Sequence, residues 1–475
     1  MTDALWTFDD LVRAAGGVAD GASVVPLTGF SIDTRTLRAG DVFVALKDQR
    51  DGHEFVTAAF AKGAGAALVS VLYEKKTGDG ALIRVVDPLK GLESVAAAAR
   101  ARLSPSARVI AVTGSVGKTG TKEMLKACFS AVAPNRVHAA DKSFNNHWGV
   151  PLTLAAMPVD TQFGIFEIGM NHAGEITPLA KLVRPHVAIV TTVEAVHLEH
   201  FASVEDIAEA KAEIFLGLEP GGTAIINRDN AYFALLNDRA RQTGRSVCAF
   251  GQTSDAQVRP SRWDIGAGGS DITVRLSGHD VAYRLAAPGA HIAQNSLAVV
   301  AAVDAAGAHV ATAAKALAEM PAPQGRGSRT EFAAEGGSVL LIDESYNANP
   351  ASMRSALAAM ATVPRSHFCR RIAVLGDMLE LGPNSPKLHA GLVDAIEAAG
   401  VDMVFAAGPQ MANLHAALPD SKRGGWAENS SQIRNSLLEE LRPGDVVMIK
   451  GSNGSRMAPL VEAVKEKFAP NQMGT

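Results

Sequence analysis

The sequence has few cysteines and no long apolar run. Cys128, Cys248 and Cys369 are its three cysteines, far apart and without metal-ligand spacing, which argues against a disulfide-stabilised secreted protein and against a zinc site. No stretch approaches the ~18 consecutive apolar residues of a membrane-spanning helix. The first residues, MTDALWTFDDLV, are acidic where a signal peptide would be basic. We therefore expect a cytoplasmic protein without a membrane span.

An excess of positive charge is also lacking. Lys and Arg number 45 against 49 Asp and Glu, which gives a net charge of −4. Sequence-independent nucleic-acid binding needs a basic face, so we expect no nucleic-acid partner, although a local basic pocket for a phosphorylated ligand stays open. With 47% hydrophobic and 20% charged residues, the composition suits packed cores. At roughly 100–200 residues per domain, the 475 residues predict about three domains, and we expect a monomer.

Short apolar runs alternate with Ala-rich helical patterns along most of the chain. Several runs are apolar on both faces, which is typical of buried parallel strands. The predicted strands are 41–46, 108–113, 163–168, 186–193, 223–227, 339–343, 371–376, 402–408 and 445–450. The predicted helices include 118–131, 205–218, 292–306, 352–362 and 387–399. This alternation predicts an α/β fold with parallel-rich sheets.

Two segments look like domain boundaries. A helical run over 92–103 stops at Ser104, Pro105 and Ser106, and residues 320–328 are dense in Pro and Gly, as in a linker. We predict three domains: a smaller N-terminal α/β domain at 1–105, a central phosphate-loop ATPase domain at 106–322, and a Rossmann-like α/β domain at 323–475. The Gly-rich stretch 266–270 is predicted to be a loop between strands.

The most specific motif follows the strand RVIAVT. The residues Thr113-Gly114-Ser115-Val116-Gly117-Lys118-Thr119 stand between that strand and a helix, the arrangement that binds nucleotide phosphates. Backbone N–H groups would face the phosphates, Lys118 would neutralise the β and γ oxygens, and the Thr119 hydroxyl would bind Mg²⁺. Val112 stands where the strict pattern has its first Gly, so the loop is a variant.

The variant loop and further motifs resemble the Mur ligases, the ATP-dependent amide-bond-forming enzymes of peptidoglycan precursor synthesis. The resemblance runs in matching order through SIDTRTLRAGDVFVALKDQRDGHEF, TGSVGKTGTKEM, SFNNHWGVPLTL, FEIGMNHAGEI, VHLEHFASVEDIAEAKAEIF, DESYNANPASM, VLGDMLELG and IKGSNGSRM. The run at 343–350 favours the family's dipeptide-adding member, because an Asp-Asn-Pro-Arg motif typical of the member that adds a diamino acid is absent.

The resemblance implies a two-step reaction. A UDP-N-acetylmuramoyl tripeptide carboxylate would be activated by ATP as an acyl phosphate, and D-alanyl-D-alanine would then attack it. These two molecules are the expected partners, and ATP and Mg²⁺ the expected cofactors. Two alternatives remain: another Mur-type or folylpolyglutamate-type ligase, and a phosphate-loop NTPase without ligase chemistry.

The resemblance also implies roles for individual residues. The predicted nucleotide-binding residues are Gly114, Ser115, Val116, Gly117, Lys118, Thr119, Gly120, Asn295, Arg326 and Asp343. Ile292 departs from the family, which usually has Asn there, and leaves His291 uncertain. Asn145 and Asn146 match family positions near the γ-phosphate and the substrate carboxylate, with a simple turn as the alternative. For Asp343 the alternative is a helix N-cap.

Four residues are predicted to form the catalytic and metal-binding set. Glu167 ends a strand in the phosphate-loop domain, where a carboxylate is well placed to bind Mg²⁺, although a surface acid is the alternative. By resemblance, His197 helps bind a second magnesium, and Lys211 is carbamylated by CO₂, whereas a helical lysine is ordinarily solvated. With Lys118, Glu167, His197 and Lys211 complete the predicted catalytic residues; Thr119, Glu167, His197 and Lys211 are the predicted metal ligands.

The uridine nucleotide is predicted to bind near the N-terminus. Ser31, Asp33, Thr34 and Arg35 form a short polar cluster before a strand, and Arg suits bidentate phosphate contact. The alternative is a turn with a surface ion pair. The match to the family's uridine-nucleotide segment favours contact with the ligand.

Overall fold

The first sheet lies between residues 18 and 85. The computed structural model describes residues 4–141, 143–196, 198–266, 268–276, 278–322 and 324–469. The strands of this sheet are β1 (Val18–Asp20), β2 (Gly29–Ser31), β3 (Asp41–Val44), β4 (Ala66–Ser70) and β5 (Leu82–Val85), and the helices beside it are α1 (Phe8–Ala15), α2 (Val56–Ala61) and α3 (Pro88–Ala101). The strand order is β1-β5-β4-β3-β2, and all pairs are parallel except β1 with β5.

The second sheet is entirely parallel and carries the phosphate loop. Its strands are β6 (Arg108–Thr113), β7 (Val137–Ala139), β8 (Phe163–Glu167), β9 (Val187–Val190), β10 (Thr223–Asn227) and β11 (Ser246–Phe250), in the order β11-β10-β9-β6-β8-β7. Its helices are α4 (Lys118–Val132), α5 (Gly149–Ala155), α6 (Ile176–Val183), α7 (Val204–Ala212), α8 (Phe233–Gln242), α9 (Ala290–Ala305) and α10 (Val310–Lys315). Strands β6, β8 and β9 are apolar on both faces because helices cover both sides.

A small antiparallel sheet follows, which the sequence reading did not predict. It consists of β12 (Arg259–Gly266), β13 (Gly269–Leu276) and β14 (His279–Leu285). Strand β12 alternates exposed and half-buried residues along most of its length, so it lacks the continuous apolar run that marks the parallel strands. The stretch 266–270 connects β12 to β13, in agreement with the predicted loop, apart from residue 267, which lies outside the described residues.

The last sheet is parallel except at one edge. Its strands are β15 (Ser328–Ala334), β16 (Gly337–Glu344), β17 (Arg370–Gly376), β18 (Met403–Ala407), β19 (Arg423–Ala427) and β20 (Asp445–Lys450), in the order β15-β16-β20-β17-β18-β19. Its helices are α11 (Pro350–Ala361), α12 (Ser385–Ala390), α13 (Val393–Ala398), α14 (Met411–Ala417), α15 (Ser430–Glu440) and α16 (Ala458–Phe468). Only β15 pairs antiparallel, against β16.

These sheets confirm the predicted α/β class. The predicted strands 108–113, 223–227 and 445–450 coincide with β6, β10 and β20. The predicted helix 387–399 is interrupted at Gly391, between α12 and α13. The described part of 320–327 contains no helix or strand, as a linker should; Pro323 lies outside the described residues. The domain limits 1–105, 106–322 and 323–475 stay a prediction.

The N-terminal sheet packs tightly on the central one. A continuous cluster of buried apolar residues runs from Trp6 to Ala240 and includes side chains of α3, α5 and α6. The indole N–H of Trp6 donates to the Ala155 carbonyl at 3.0 Å, and the Arg102 guanidinium donates to the carbonyl of Met157 at 2.8 Å. The guanidinium carbon of Arg102 lies 3.8 Å from the centre of the Trp6 ring. The two sheets therefore share one core.

Candidate functional site

The phosphate loop has the geometry of an anion site. Gly117 precedes α4 with φ +87°, and no side chain caps the helix, so the first N–H groups of the helix are free to bind phosphate oxygens. A Cβ on Gly117 would lie 2.5 Å from Asn295 Nδ2, and one on Gly114 would lie 1.9 Å from Thr191 Oγ1. Both positions therefore require glycine, for conformation and for space.

Neighbouring strands support this loop. The Thr191 hydroxyl donates to the Val116 carbonyl at 2.6 Å, and the Ser115 N–H donates to the Thr192 carbonyl at 2.9 Å. The Ser115 hydroxyl in turn accepts the N–H of Glu194 at 2.8 Å. The residues after β9 therefore fix the loop from the side opposite to α4. Thr191 was missed by the sequence reading, because nothing local in VAIVTTV indicates that its hydroxyl reaches the loop.

Lys118 points back along its own loop. Its ammonium donates to the Gly114 carbonyl at 2.7 Å, which keeps the side chain beside the backbone N–H groups. Burial lowers the pKa of Lys118; the Glu167 carboxylate opposes that shift and the Arg326 charge adds to it. The lysine is thus placed to neutralise an anion bound at the loop.

The predicted metal ligands Thr119 and Glu167 meet in the structure. The Thr119 hydroxyl donates to Glu167 Oε2 at 2.8 Å, and the Asn145 amide donates to Glu167 Oε1 at 2.8 Å. Glu167 is only 3% exposed, so its carboxylate is not the surface acid considered as an alternative. Ser143, which the sequence reading missed, lies 3.2 Å from the Thr119 hydroxyl through its own Oγ. Oxygen atoms from three chain segments therefore converge beside the phosphate loop.

Two further members of the predicted set have different standings. His197 lies outside the described residues. Lys211 lies in α7 and is 2% exposed, so it is not a solvated helical lysine. Burial, together with the charge of Lys118, lowers the pKa of Lys211 well below its usual range. Among the described residues, no three or more His, Cys, Asp and Glu side chains cluster as a metal site.

Asn146 differs in role from its neighbour Asn145. Its side-chain oxygen accepts the N–H groups of Trp148 at 3.2 Å and Gly149 at 2.9 Å, where α5 begins. These bonds correspond to the turn considered as the alternative for this pair. Only Asn145 therefore faces Glu167 in this structure.

A cavity of about 410 Å³ extends from the phosphate loop to the C-terminal sheet. Its lining includes the predicted residues Lys118, Thr119, Asn145, Glu167, Asn295 and Arg326, together with Thr191, Gln294, Tyr346 and Lys450. A second cavity of about 440 Å³ shares Thr119, Ser143 and Arg326 with it, and is also lined by Asp343. Both cavities lie between the central and the C-terminal segments.

Arg326 connects the two segments. Its guanidinium carbon lies 4.2 Å from the centre of the Tyr346 ring, and its Nη2 lies 3.4 Å from Ser143 Oγ, at the limit of a hydrogen bond. Asp343 is 4% exposed and accepts the N–H groups of Gly325 and Ser345, each at 3.1 Å. The carboxylate therefore also orders the turn that carries Arg326.

The N-terminal polar cluster lies at a sheet edge. Arg35 Nη2 lies 2.7 Å from Asp33 Oδ2, and the Ser31 hydroxyl donates to the Asp33 carbonyl at 3.0 Å. The Thr34 carbonyl accepts the ammonium of Lys62 at 2.8 Å. The guanidinium of Arg35 is 86% exposed and available to a ligand.

A third cavity, of about 710 Å³, lies at the same edge. Its lining includes Lys47 after β3, Ser70 at the end of β4 and Asp87 after β5. Since the carboxyl ends of parallel strands share one sheet edge, this cavity and the turn after β2 face the same side.

Comparisons with known proteins agree along the whole chain. Residues 112–303 match the family described as the Mur ligase middle domain, and residues 328–453 match the Mur ligase, glutamate ligase domain. The chain is 35% identical to the UDP-N-acetylmuramoyl-tripeptide–D-alanyl-D-alanine ligase of Escherichia coli over 97% of this chain and 98% of that protein. It is 32% identical to the enzyme of the same name from Rickettsia prowazekii, over 90% and 93% of the two chains.

A solved structure agrees as well. MurF from Acinetobacter baumannii superposes with a TM-score of 0.83 at 27% identity and covers 98% of this chain and 100% of that one. Among the described residues, no helix is long and apolar enough to cross a membrane.

Proposed function

This chain belongs to the family of UDP-N-acetylmuramoyl-tripeptide–D-alanyl-D-alanine ligases, and from that premise we propose that it joins D-alanyl-D-alanine to a UDP-N-acetylmuramoyl tripeptide at the expense of ATP. The observation that carries the proposal is the meeting of Lys118, Thr119, Glu167 and Asn145 in one cavity that the C-terminal segment closes. The reaction belongs to peptidoglycan precursor synthesis. Because ATP is a substrate, we place the enzyme in the cytoplasm.

The first chemical step is phosphoryl transfer. An oxygen of the tripeptide carboxylate attacks the γ-phosphorus of ATP, the bond from that phosphorus to the bridging oxygen breaks, and ADP leaves with the electron pair. The free N–H groups at the start of α4 bind the phosphate oxygens, and the Lys118 ammonium neutralises charge that builds up on them. The product is an acyl phosphate.

The second step forms the amide. The neutral amine of D-alanyl-D-alanine attacks the acyl carbon, a proton leaves the nitrogen, and the carbon–oxygen bond to phosphate breaks to release inorganic phosphate. We propose that the segment 323–475 closes over ATP and the dipeptide, that 106–322 binds ATP, and that the linker 320–328 is the hinge. Arg326, which contacts both Ser143 and Tyr346, supports a hinge at that place.

The residues beside the phosphate loop fit Mg²⁺. This ion prefers oxygen ligands and takes few of them from a protein, with water and phosphate supplying the rest. Thr119 and Glu167 would bind it; His197 is the further predicted ligand. When bound, Mg²⁺ stabilises negative charge on the phosphate oxygens. Asn145 keeps the Glu167 carboxylate in place through its amide hydrogen bond.

Lys211 is proposed to be carbamylated. The buried position and the lowered pKa of this lysine favour the neutral amine, which is the form that reacts with CO₂. Its Nζ attacks the carbon of CO₂, an electron pair moves to an oxygen, and the nitrogen loses a proton. The resulting carbamate is an anion with two oxygens, suited to a hard cation, whereas a protonated lysine would repel one.

We further propose that the domain 1–105 binds the uridine nucleotide. The exposed guanidinium of Arg35, beside Ser31, Asp33 and Thr34, supports contact with a diphosphate. The cavity of about 710 Å³ at the same sheet edge gives room for a nucleotide. The shared core of the N-terminal and central sheets would fix the distance between this site and the phosphate loop.

A coupled assay tests the proposal against a simple NTPase. Phosphate release is measured with ATP and Mg²⁺, adding the UDP-muramoyl tripeptide and D-alanyl-D-alanine separately and together. The ligase should release phosphate at its full rate only with both, and should produce an equal amount of the amide. Rapid release from ATP alone, unchanged by either compound, would contradict the ligase assignment.

A further inference from the structure

The side-chain amide of Gln294, in α9, is fixed in one orientation. Its Nε2 donates to Asp229 Oδ2 at 2.8 Å and lies 3.3 Å from Asn227 Oδ1. A flipped amide would put the carbonyl oxygen of Gln294 against these two oxygen acceptors, which cannot donate to it. The hydrogen bonds therefore decide which atom of the amide faces the nitrogen's partners.

The partners of Gln294 are themselves fixed. The Asn227 Nδ2 donates to the Thr191 carbonyl at 3.1 Å, so the Asn227 oxygen must be the atom turned toward Gln294. The Asp229 carboxylate accepts the N–H groups of Gln252 at 2.7 Å and Thr253 at 3.0 Å. A chain of hydrogen bonds thus runs from the phosphate-loop support at Thr191 to Gln294.

The remaining atom of the amide has no partner. Gln294 Oε1 is buried and accepts no hydrogen bond, while Gln294 itself lines the cavity that starts at the phosphate loop. A buried acceptor without a donor is destabilising, so a ligand that brings an N–H group to this atom is favoured. The neighbouring Ile292 lines the same cavity and has no side-chain polar atom that could take over.

We propose that Gln294 selects the base of the nucleotide by accepting a hydrogen bond from the 6-amino group of adenine. This inference rests on the proposed function of the cavity as the ATP site. Asn295, next along the helix, lies against Gly117 of the phosphate loop, so the start of α9 reaches from the phosphates toward the base. A purine with an oxygen at position 6 would set acceptor against acceptor, and Asp229 prevents the amide from turning to donate.

Nucleotide binding, measured without peptide substrates, tests this inference. ATP is compared with purine riboside triphosphate, which lacks the 6-amino group, and with inosine triphosphate, which has an oxygen there. The wild type should bind ATP about 10-fold or more tightly than either analogue. In Gln294→Met, which keeps the length and loses the acceptor, ATP and purine riboside triphosphate should bind within about twofold of each other.

Gln410→Met is the matched control. Gln410 also has a buried Oε1 without a partner, but it lies in the C-terminal segment before α14 and does not line the nucleotide cavity. This variant should keep the wild-type preference for ATP. Asp229→Asn should narrow the preference over inosine triphosphate, because the new amide can donate to Gln294 and let it turn.

The outcomes separate this inference from the proposed function. A Gln294→Met protein that keeps the full preference for ATP, or a wild type without one, would overturn the role of Gln294 whatever the ligase assay shows. A preference that depends on Gln294 supports it. Absence of amide formation in the coupled assay, with that preference intact, would refute the ligase reaction and leave the base-selecting contact standing.

Discussion

Replacing Glu167 by glutamine removes one negative charge from the proposed metal site with little disturbance of the fold. In the structure, one carboxylate oxygen accepts the Thr119 hydroxyl and the other accepts the Asn145 amide, at 2.8 Å each. Glutamine has the same shape. Its carbonyl oxygen can accept from Asn145, and its amide can donate to the Thr119 oxygen, so both contacts survive the substitution.

The expected effects on stability and on catalysis therefore differ. No buried polar atom loses its partner, so the free energy of unfolding should change by less than about 1 kcal/mol. Loss of one group that stabilises charge in the transition state costs about 2.7–4 kcal/mol, which is about 10²–10³ in kcat. Glu167→Gln should thus be a folded protein with kcat lowered about 100-fold or more.

The assay is phosphate release with all three substrates across a series of Mg²⁺ concentrations, beside a denaturation curve. Asp445→Asn is a useful control, because Asp445 is 1% exposed but pairs with Arg370 at 2.8 Å in the C-terminal sheet. It should lose stability and keep the kcat and Mg²⁺ dependence of the wild type. A folded Glu167→Gln with wild-type kcat and Mg²⁺ dependence would refute the metal site.

Three other predictions follow from the same structure. Arg35→Ala should raise KM for the uridine nucleotide about 10-fold, with KM for ATP unchanged, and a rise confined to ATP would contradict it. Lys211→Ala should be almost inactive and partly rescued by acetate; wild-type protein in ¹³C-bicarbonate should show a carbamate resonance that this variant lacks, and its absence from the wild type would count against the modification. The third concerns His186, whose ring Nδ1 accepts the Val109 N–H at 2.9 Å. Burial, helped by the charges of Arg100 and Arg108, lowers the pKa of His186 from 6.5 to about 4. Because the unfolded chain binds the extra proton first, stability should fall as the pH drops from 6.5 to about 4, by about 3 kcal/mol in all. His186→Asn should flatten this slope in denaturant titrations, and an unchanged slope would contradict the assignment.

The sequence predicts the parallel strands and the phosphate loop because both depend on local pattern. Strands buried on two faces must be continuously apolar, and a glycine loop between strand and helix is visible in six or seven letters. By contrast, the antiparallel sheet β12–β14 was missed, because half of its residues face solvent and its runs are weakly apolar.

Tertiary contacts decide the rest of the site. The burial of Lys211 cannot be read from IAEAKAEIF, since an isolated lysine between alanines is ordinarily solvated. Asn145 and Asn146 are adjacent in sequence, yet one hydrogen-bonds to Glu167 and the other to the backbone at the start of α5. Gln294 and Ser143 gain their positions from residues far along the chain, which no local pattern indicates.

The central claim is ligation through an acyl phosphate, and an isotope experiment tests it most directly. The tripeptide substrate is labelled with the heavy oxygen isotope in the reacting carboxylate, and the phosphate and peptide products are weighed by mass spectrometry after a single turnover with ATP and D-alanyl-D-alanine. Attack of the carboxylate on the γ-phosphorus, followed by attack of the amine on carbon, places one labelled oxygen in the phosphate and leaves the other in the new amide. Unlabelled phosphate, with no gain in mass of the peptide, would mean that water attacks ATP and would contradict the account.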